Sequence, residues 1–144
     1  MRRFACTVLL AVTAGCATVP GAVAPYRVVG DAIPEPLAAS GEAARGREVI
    51  AGRDGNCVLC HFVPGAGKRV MGDLGPSLAE VGSRLNAGQI RLRIVDARRL
   101  NPDTIMPSYY RVDGFDRVAE AYRGKPVLTA QEIEDAIAYL RTLR

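Results

Sequence analysis

Large aromatic side chains are scarce in this 144-residue chain, which has no tryptophan, three phenylalanines and five tyrosines. A core assembled from its own side chains would have few bulky fillers, although an apolar fraction of 49% is ordinary for one globular domain. Histidine is scarcer still. His61 stands alone, which excludes any centre that needs two imidazoles from the same chain. A dominant charge is also missing. Lysine and arginine number 19 against 15 acidic residues, a formal +4, and leaving out Arg2 and Arg3, which sit in a removable leader, gives 17 against 15, or +2. So even a balance argues against a nucleic-acid partner. The apolar stretch from Phe4 to Ala14 falls short of the roughly 20 residues that a spanning helix requires.

That stretch follows two arginines and precedes small residues, the form of an export signal, predicted over residues 1–15. Val12-Thr13-Ala14-Gly15-Cys16 resembles the bacterial lipoprotein box, in which the cysteine becomes the lipidated first residue, with Thr13 where that pattern has leucine. The competing expectation is an ordinary signal peptide, cut after Ala17 or Ala24. The lipoprotein reading is preferred because it accounts for an otherwise unpaired Cys16 in an exported chain. It implies a periplasmic protein held at a membrane by acyl chains.

Residues 16–39 are rich in Ala, Pro, Gly and Val without helical period, and read as a tether or as an arm lying on something. The folded domain is predicted over 40–144. Ser40 is a candidate N-cap, with Glu42 in the first turn and Ala43, Gly46, Val49 and Ile50 at helical spacing, ended by Gly52 and Asp54-Gly55. A short helical candidate spans Ser77 to Leu85. The stretch from Asn86 to Asp96 is ambiguous, since Ile90-Arg91-Leu92-Arg93-Ile94 alternates like a strand. Asn86 and Gln89 form a capping-box pair, and no partner strand is evident, so helix is preferred. A last helix opens on the capping box Thr129/Glu132 and carries the stripe Ile133, Ala136, Ile137, Leu140 and Leu143, with Glu134, Asp135, Arg141 and Thr142 expected to face water. The fold class expected is all-α.

The chemistry lies in Cys57-Val58-Leu59-Cys60-His61, the CxxCH pattern of c-type haem attachment. Two thiols three positions apart reach the two vinyl groups on one porphyrin edge, and the next residue presents its imidazole to the iron from the same side. A buried porphyrin also supplies the bulk that the composition lacks. The rival readings are weaker. A structural zinc site needs four ligands, and once Cys6 leaves with the leader it would take Cys57, Cys60, His61 and Cys16 together, with Cys60 and His61 adjacent, a poor spacing for one tetrahedron. A thioredoxin-like pair wants strands that are not predicted. A disulfide between Cys57 and Cys60 closes too small a ring to constrain much. For the sixth position on iron, Met71, Met106, a lysine, a cysteine, an amine or an open site remain. Met71 lies only ten residues after His61 in a Gly-rich loop. Met106 sits between Pro102 and Pro107, whose fixed backbone would hold a thioether at small entropic cost, and spacing favours it. The backbone carbonyl of Pro76, in Gly75-Pro76-Ser77-Leu78, is the candidate acceptor for the other ring N–H of His61.

Taken together, these residues resemble class I cytochromes c over about Ser40 to Arg144. The resemblance implies one covalent haem c, Met106 as the distal ligand through its Met-Pro pair, and a crossing of first and last helices at Gly46 and Tyr139. A narrower resemblance is to the SoxX family, monohaem subunits of SoxAX thiosulfate-oxidising complexes. It rests on Gly55 to His61, on Gly72-Asp73-Leu74-Gly75-Pro76-Ser77-Leu78 and above all on Asn101 to Tyr110 (NPDTIMPSYY). That resemblance implies a heterodimer with a SoxA-like cytochrome, which carries the bond-forming chemistry on a cysteine of the carrier SoxYZ, an L-cysteine S-thiosulfotransferase type of reaction. This chain would be the non-catalytic subunit, accepting electrons and passing them to a downstream cytochrome. Tyr109 and Tyr110 would then lie near a partner-facing haem edge, or else pack beneath the methionine loop. The alternatives are a free-standing periplasmic electron carrier and a haem-based ligand binder with an open sixth site.

Overall fold

The computed structural model describes residues 23–67 and 70–144. Four α-helices, joined by 3₁₀ turns and long loops, enclose a single core: α1 (Ala43–Ala51), α2 (Val81–Arg84), α3 (Ala87–Asp96) and α4 (Ala130–Leu140). Among the described residues the only extended pairing is an isolated bridge between Val29 and Ala32. The all-α expectation holds.

Both capping boxes form. Asn86 Oδ1 accepts from the Gln89 amide at 2.9 Å while Gln89 Oε1 accepts from the Asn86 amide at 3.0 Å, and Thr129 and Glu132 make the same reciprocal pair at the start of α4. These bonds satisfy orphan amides of a first turn and fix where each helix begins. Two helix boundaries differ from the sequence expectation. The first helix starts at Ala43 with Glu42, not Ser40, at its N-cap, because the Glu42 amide is claimed by Asp135 Oδ1 of α4 at 2.8 Å. The candidate from Ser77 to Leu85 shrinks to a single turn, Val81–Arg84, because the Leu78 amide is taken by the Phe62 carbonyl at 2.9 Å and Glu80 adopts a left-handed conformation, φ 58°.

The strand-like alternation in α3 has a physical cause. This helix is buried on nearly every side: Ile90 and Ile94 line one large cavity, Leu92 and Val95 are wholly inaccessible, and Arg91 is 3% exposed. Arg91 forms a two-pronged ion pair with Glu134 of α4, Nε to Oε1 and Nη2 to Oε2 both at 2.7 Å, and its Nη1 donates to the Ile33 carbonyl at 2.7 Å. The expectation that Glu134, Asp135 and Arg141 face water is therefore wrong, although Thr142 does. Glu134 and Asp135 are 5% and 3% exposed. Asp135 is held by Arg45 of α1, Nε to Oδ2 at 2.7 Å, and this guanidinium keeps its carboxyl below the usual carboxylate range. Arg141 is half-buried, donating to the carbonyls of Gly82 and Leu85 at 2.7 Å.

α1 and α4 cross at Gly46, where a Cβ would strike the Asp135 carbonyl. Tyr139, one turn on, donates its hydroxyl to the Pro64 carbonyl at 2.7 Å, tying α4 to the loop after His61. The segment before α1 packs on the helices. Ile33 is completely buried, its amide donates to the Gly88 carbonyl at 3.0 Å, and the Leu37 amide donates to Glu134 Oε1 at 2.9 Å. One buried ion pair thus gathers α3, α4 and the N-terminal arm.

Removing one partner of such a pair strands the other charge without water, at a cost of about 3–5 kcal/mol. Arg91→Ala should lose stability on that scale in urea unfolding of the haem-loaded protein, and Arg91→Met with Glu134→Met should recover most of it. A loss below about 1 kcal/mol would show that the pair does not hold the three elements together.

Candidate haem-binding site

A cavity of about 530 Å³ opens in the middle of the core, within the roughly 300–1,000 Å³ range of cofactor sites. Cys57, Cys60, His61, Pro76 and Met106 all line it, so the structure brings together the favoured site residues, while Cys16 and the leader lie outside the described residues. Most of the remaining wall is aliphatic, from Ile50, Ile90, Ile94, Leu128, Ala136 and Leu140.

Local backbone geometry sets the cysteine wall. Asn56 adopts a left-handed conformation, φ 40°, which asparagine tolerates better than most residues, and it turns the chain into the 3₁₀ turn Cys57–Leu59. The His61 amide donates to the Cys57 carbonyl at 2.9 Å. Residues 72–78 then run alongside 58–62 in the same direction: the amides of Gly72, Gly75 and Leu78 donate to the carbonyls of Val58, Cys60 and Phe62 at 2.9, 2.7 and 2.9 Å. Glycine is required at both inner positions. A Cβ on Gly72 would meet the Leu59 carbonyl, and one on Gly75 would lie 2.6 Å from His61 Nδ1 and 2.8 Å from Nε2. This close pairing carries the Pro76 carbonyl to 2.6 Å from His61 Nδ1. A carbonyl only accepts, so Nδ1 carries the proton and Nε2 keeps its lone pair for a metal.

Burial pushes the Cys57 thiol up to about 11, against a backbone hydrogen bond that lowers it and with a smaller push from the neighbouring Cys60. A thiol so protonated is a poor redox nucleophile. Among the described residues no cluster of three or more His, Cys, Asp or Glu side chains is able to hold a metal ion. The donor set instead fits a porphyrin: two thiols and one imidazole on one wall, a thioether in the same cavity, and aliphatic sides. Arg84 and Arg93 also line the cavity, cations of the kind that would pair with the carboxylates of a haem, and both donate to backbone carbonyls, Arg84 to Ser77 and Ala79 and Arg93 to Gln89. Neither was singled out from the sequence, where they read as ordinary surface charges of helical segments.

Of the two methionines in question, Met71 is disposed of by geometry. It does not line the cavity, and its sulfur accepts from the Val63 amide at 3.2 Å. Met106 lies in a loop whose following residues are anchored in the core. Tyr109 and Tyr110 are 8% and 1% exposed, which favours the second of the two expectations, packing beneath the loop, and Tyr109 also lines the cavity. The Tyr109 hydroxyl donates to the Gly55 carbonyl at 2.7 Å, beneath the cysteine turn, and burial, followed by Cys57 and Cys60, pushes its phenol up to about 12. The Tyr110 hydroxyl accepts from the Ala24 amide at 2.9 Å. Their amides continue the loop along α3, to the Ile94 and Val95 carbonyls.

A sequence model described as cytochrome c matches residues 43–144. The chain belongs to the cytochrome c family and carries one covalently bound haem c. Within that family its likeness is to SoxX, the monohaem electron-transfer subunit: it is 33% identical, with a TM-score of 0.75, to a chain in the crystal structure of SoxXA from P. pantotrophus, over 82% of this chain and 93% of that one. It is also similar to the c-type cytochrome SorU from Sinorhizobium meliloti, at 25% identity and a TM-score of 0.46, over 70% of this chain and 88% of that one. No curated protein matches the sequence.

Adding a methyl group where the imidazole lies against Gly75 overpacks the wall, at about 1–3 kcal/mol. Gly75→Ala should lower the unfolding free energy of the haem-loaded protein by that amount, followed by haem absorption in denaturant. An unchanged midpoint would mean that the ring does not rest on this glycine.

Proposed function

We propose that this chain is the electron-accepting subunit of a SoxAX-type complex that couples thiosulfate to a cysteine of a carrier protein. The observation that carries the reading is the convergence of Cys57, Cys60, His61 and Met106 on one cavity, in a chain 33% identical to a SoxXA chain along most of both lengths. Cys57 and Cys60 hold the haem as thioethers. His61 Nε2, with its ring fixed by the Pro76 carbonyl, and the Met106 sulfur would be the protein's ligands to the iron.

Haem iron supplies a one-electron store. Everything else is arranged by the polypeptide. Joining a thiol sulfur to the terminal sulfur of thiosulfate forms one S–S bond and releases two electrons and a proton, so an acceptor that takes electrons singly must be emptied twice per coupling. In this reading the bond-forming step lies on a SoxA-like partner. The electrons then pass to a downstream cytochrome. The cavity rim suits such exchange, since Leu74 and Ile105 line it while remaining 70% and 76% exposed, leaving an apolar edge for a partner. No described helix is long and apolar enough to cross a membrane. A periplasmic location, reached by an export signal over 1–15 and secured by a lipid on Cys16, is part of the proposal.

Met106→Ala should leave the haem attached but open its distal side, giving a high-spin ferric spectrum and ready CO binding in the reduced state. An unchanged low-spin spectrum would move the ligand elsewhere. Affinity-tagged chain recovered from thiosulfate-grown cells should bring down a second c-type cytochrome in equal amount. Recovery of the tagged cytochrome alone, with thiosulfate-dependent reduction of its haem intact, would make it a free carrier instead.

A further inference from the structure

Between α3 and the segment after the Met-Pro loop lies a buried carboxylate that the site described above leaves unused. Asp96 is the last residue of α3 and is 5% exposed. A carboxylate there is disfavoured twice, by burial and by the negative end of the helix dipole. Its one close partner is the Ser108 hydroxyl, also 5% exposed, which donates to Asp96 Oδ1 at 2.8 Å. The guanidinium groups of Arg99 and Arg111 stand at 3.8 Å, beyond hydrogen-bond reach, and the Arg99 side chain is largely in water.

Ser108 is separated from Met106 only by Pro107, whose ring fixes its own φ. The Asp96–Ser108 bond is therefore the buried hydrogen bond nearest Met106 along the chain, with the Tyr109 and Tyr110 amides following it onto the Ile94 and Val95 carbonyls. On the other side the loop has no comparable anchor. Thr104 and Asp103 turn back only on Asn101, the Met106 amide donates to Thr104 Oγ1 at 3.2 Å, and Ile105 is 76% exposed.

We infer that Asp96 is a positioning residue for Met106: its buried carboxylate, acting through the Ser108 hydroxyl, fixes residues 106–108 against the end of α3 and so keeps the sulfur on the cavity wall. This rests on the proposed ligation of iron by Met106. Cutting the bond leaves a buried group unsatisfied, and the loop escapes that cost by lifting away.

The test is imidazole titration of the ferric haem-loaded protein, read on the weak methionine-to-iron charge-transfer band. Ser108→Ala and Asp96→Ala should each lower the half-displacing imidazole concentration by roughly tenfold. The double variant should show no more than the larger single effect, because both changes cut the same bond. Asp96→Asn and Ser108→Thr, which retain an acceptor and a hydroxyl, should stay near the parent. Should Asp96→Ala fail to fold, Ser108→Ala and Ser108→Thr carry the comparison alone. Parental displacement by Ser108→Ala, or multiplied effects in the double variant, would overturn the role of Asp96 while leaving the ligation intact. Absence of the band from the parent protein would overturn the ligation, and this inference with it.

Discussion

The hydrogen bond between His61 Nδ1 and the Pro76 carbonyl is the contact on which the rest of the arrangement depends. It decides which ring nitrogen is protonated, and therefore which is free to bind metal. It exists because residues 72–78 are laid along 58–62 by three main-chain bonds, and because the two glycines of that segment let the backbones approach. Side-chain chemistry at the site is thus set by backbone pairing outside it. A single imidazole in the chain leaves no substitute for this geometry.

The helices solve a related problem of volume. Side chains alone enclose about 530 Å³ in the centre of the core. At about 24 cal/mol per Å³, a dry void of that size would cost on the order of 10 kcal/mol, comparable to the whole stability of a small domain. A haem tethered by two thioethers therefore counts as part of the core as much as a redox group. The helices around it are correspondingly short, and α3 and α4 are joined by a buried ion pair. Such a pair adds little net stability but specifies one arrangement. Here it sets how α3, which carries Ile90, Arg93 and Ile94, faces α4, which carries Ala136 and Leu140.

Local signals in the sequence were the readable ones. The CxxCH run, both capping boxes and the stripe of α4 each encode their structure within a few residues, and each appears where expected. The Pro76 carbonyl was reached from chemistry alone, since a ligating imidazole needs an acceptor. What misled was anything settled by a partner distant in sequence. Glu134 and Asp135 read as solvent-facing because their arginines, 43 and 90 positions away, cannot be seen in a helical repeat. Ser40 looked like a cap because nothing local reveals that α4 would claim the Glu42 amide. Tyr109 and Tyr110 left two expectations open, and it is Gly55 and Ala24, far off in sequence, that draw their hydroxyls inward.

The two walls of the cavity are built to different tolerances, and function gives a reason. The cysteine wall is braced by main-chain bonds on consecutive turns and by the Tyr109 hydroxyl on Gly55 from below, so the imidazole side has little freedom. The thioether side hangs from a loop fixed to the core at its downstream end and exposed upstream, where Ile105 and Leu74 border the rim. A covalent haem on a rigid wall reorganises little as its iron changes charge, which suits electron transfer. The softer wall is where solvent and the loop meet, so contact with a second protein there would bear on the sulfur rather than on the imidazole. In this fold the variable element of the redox centre is thus the methionine loop.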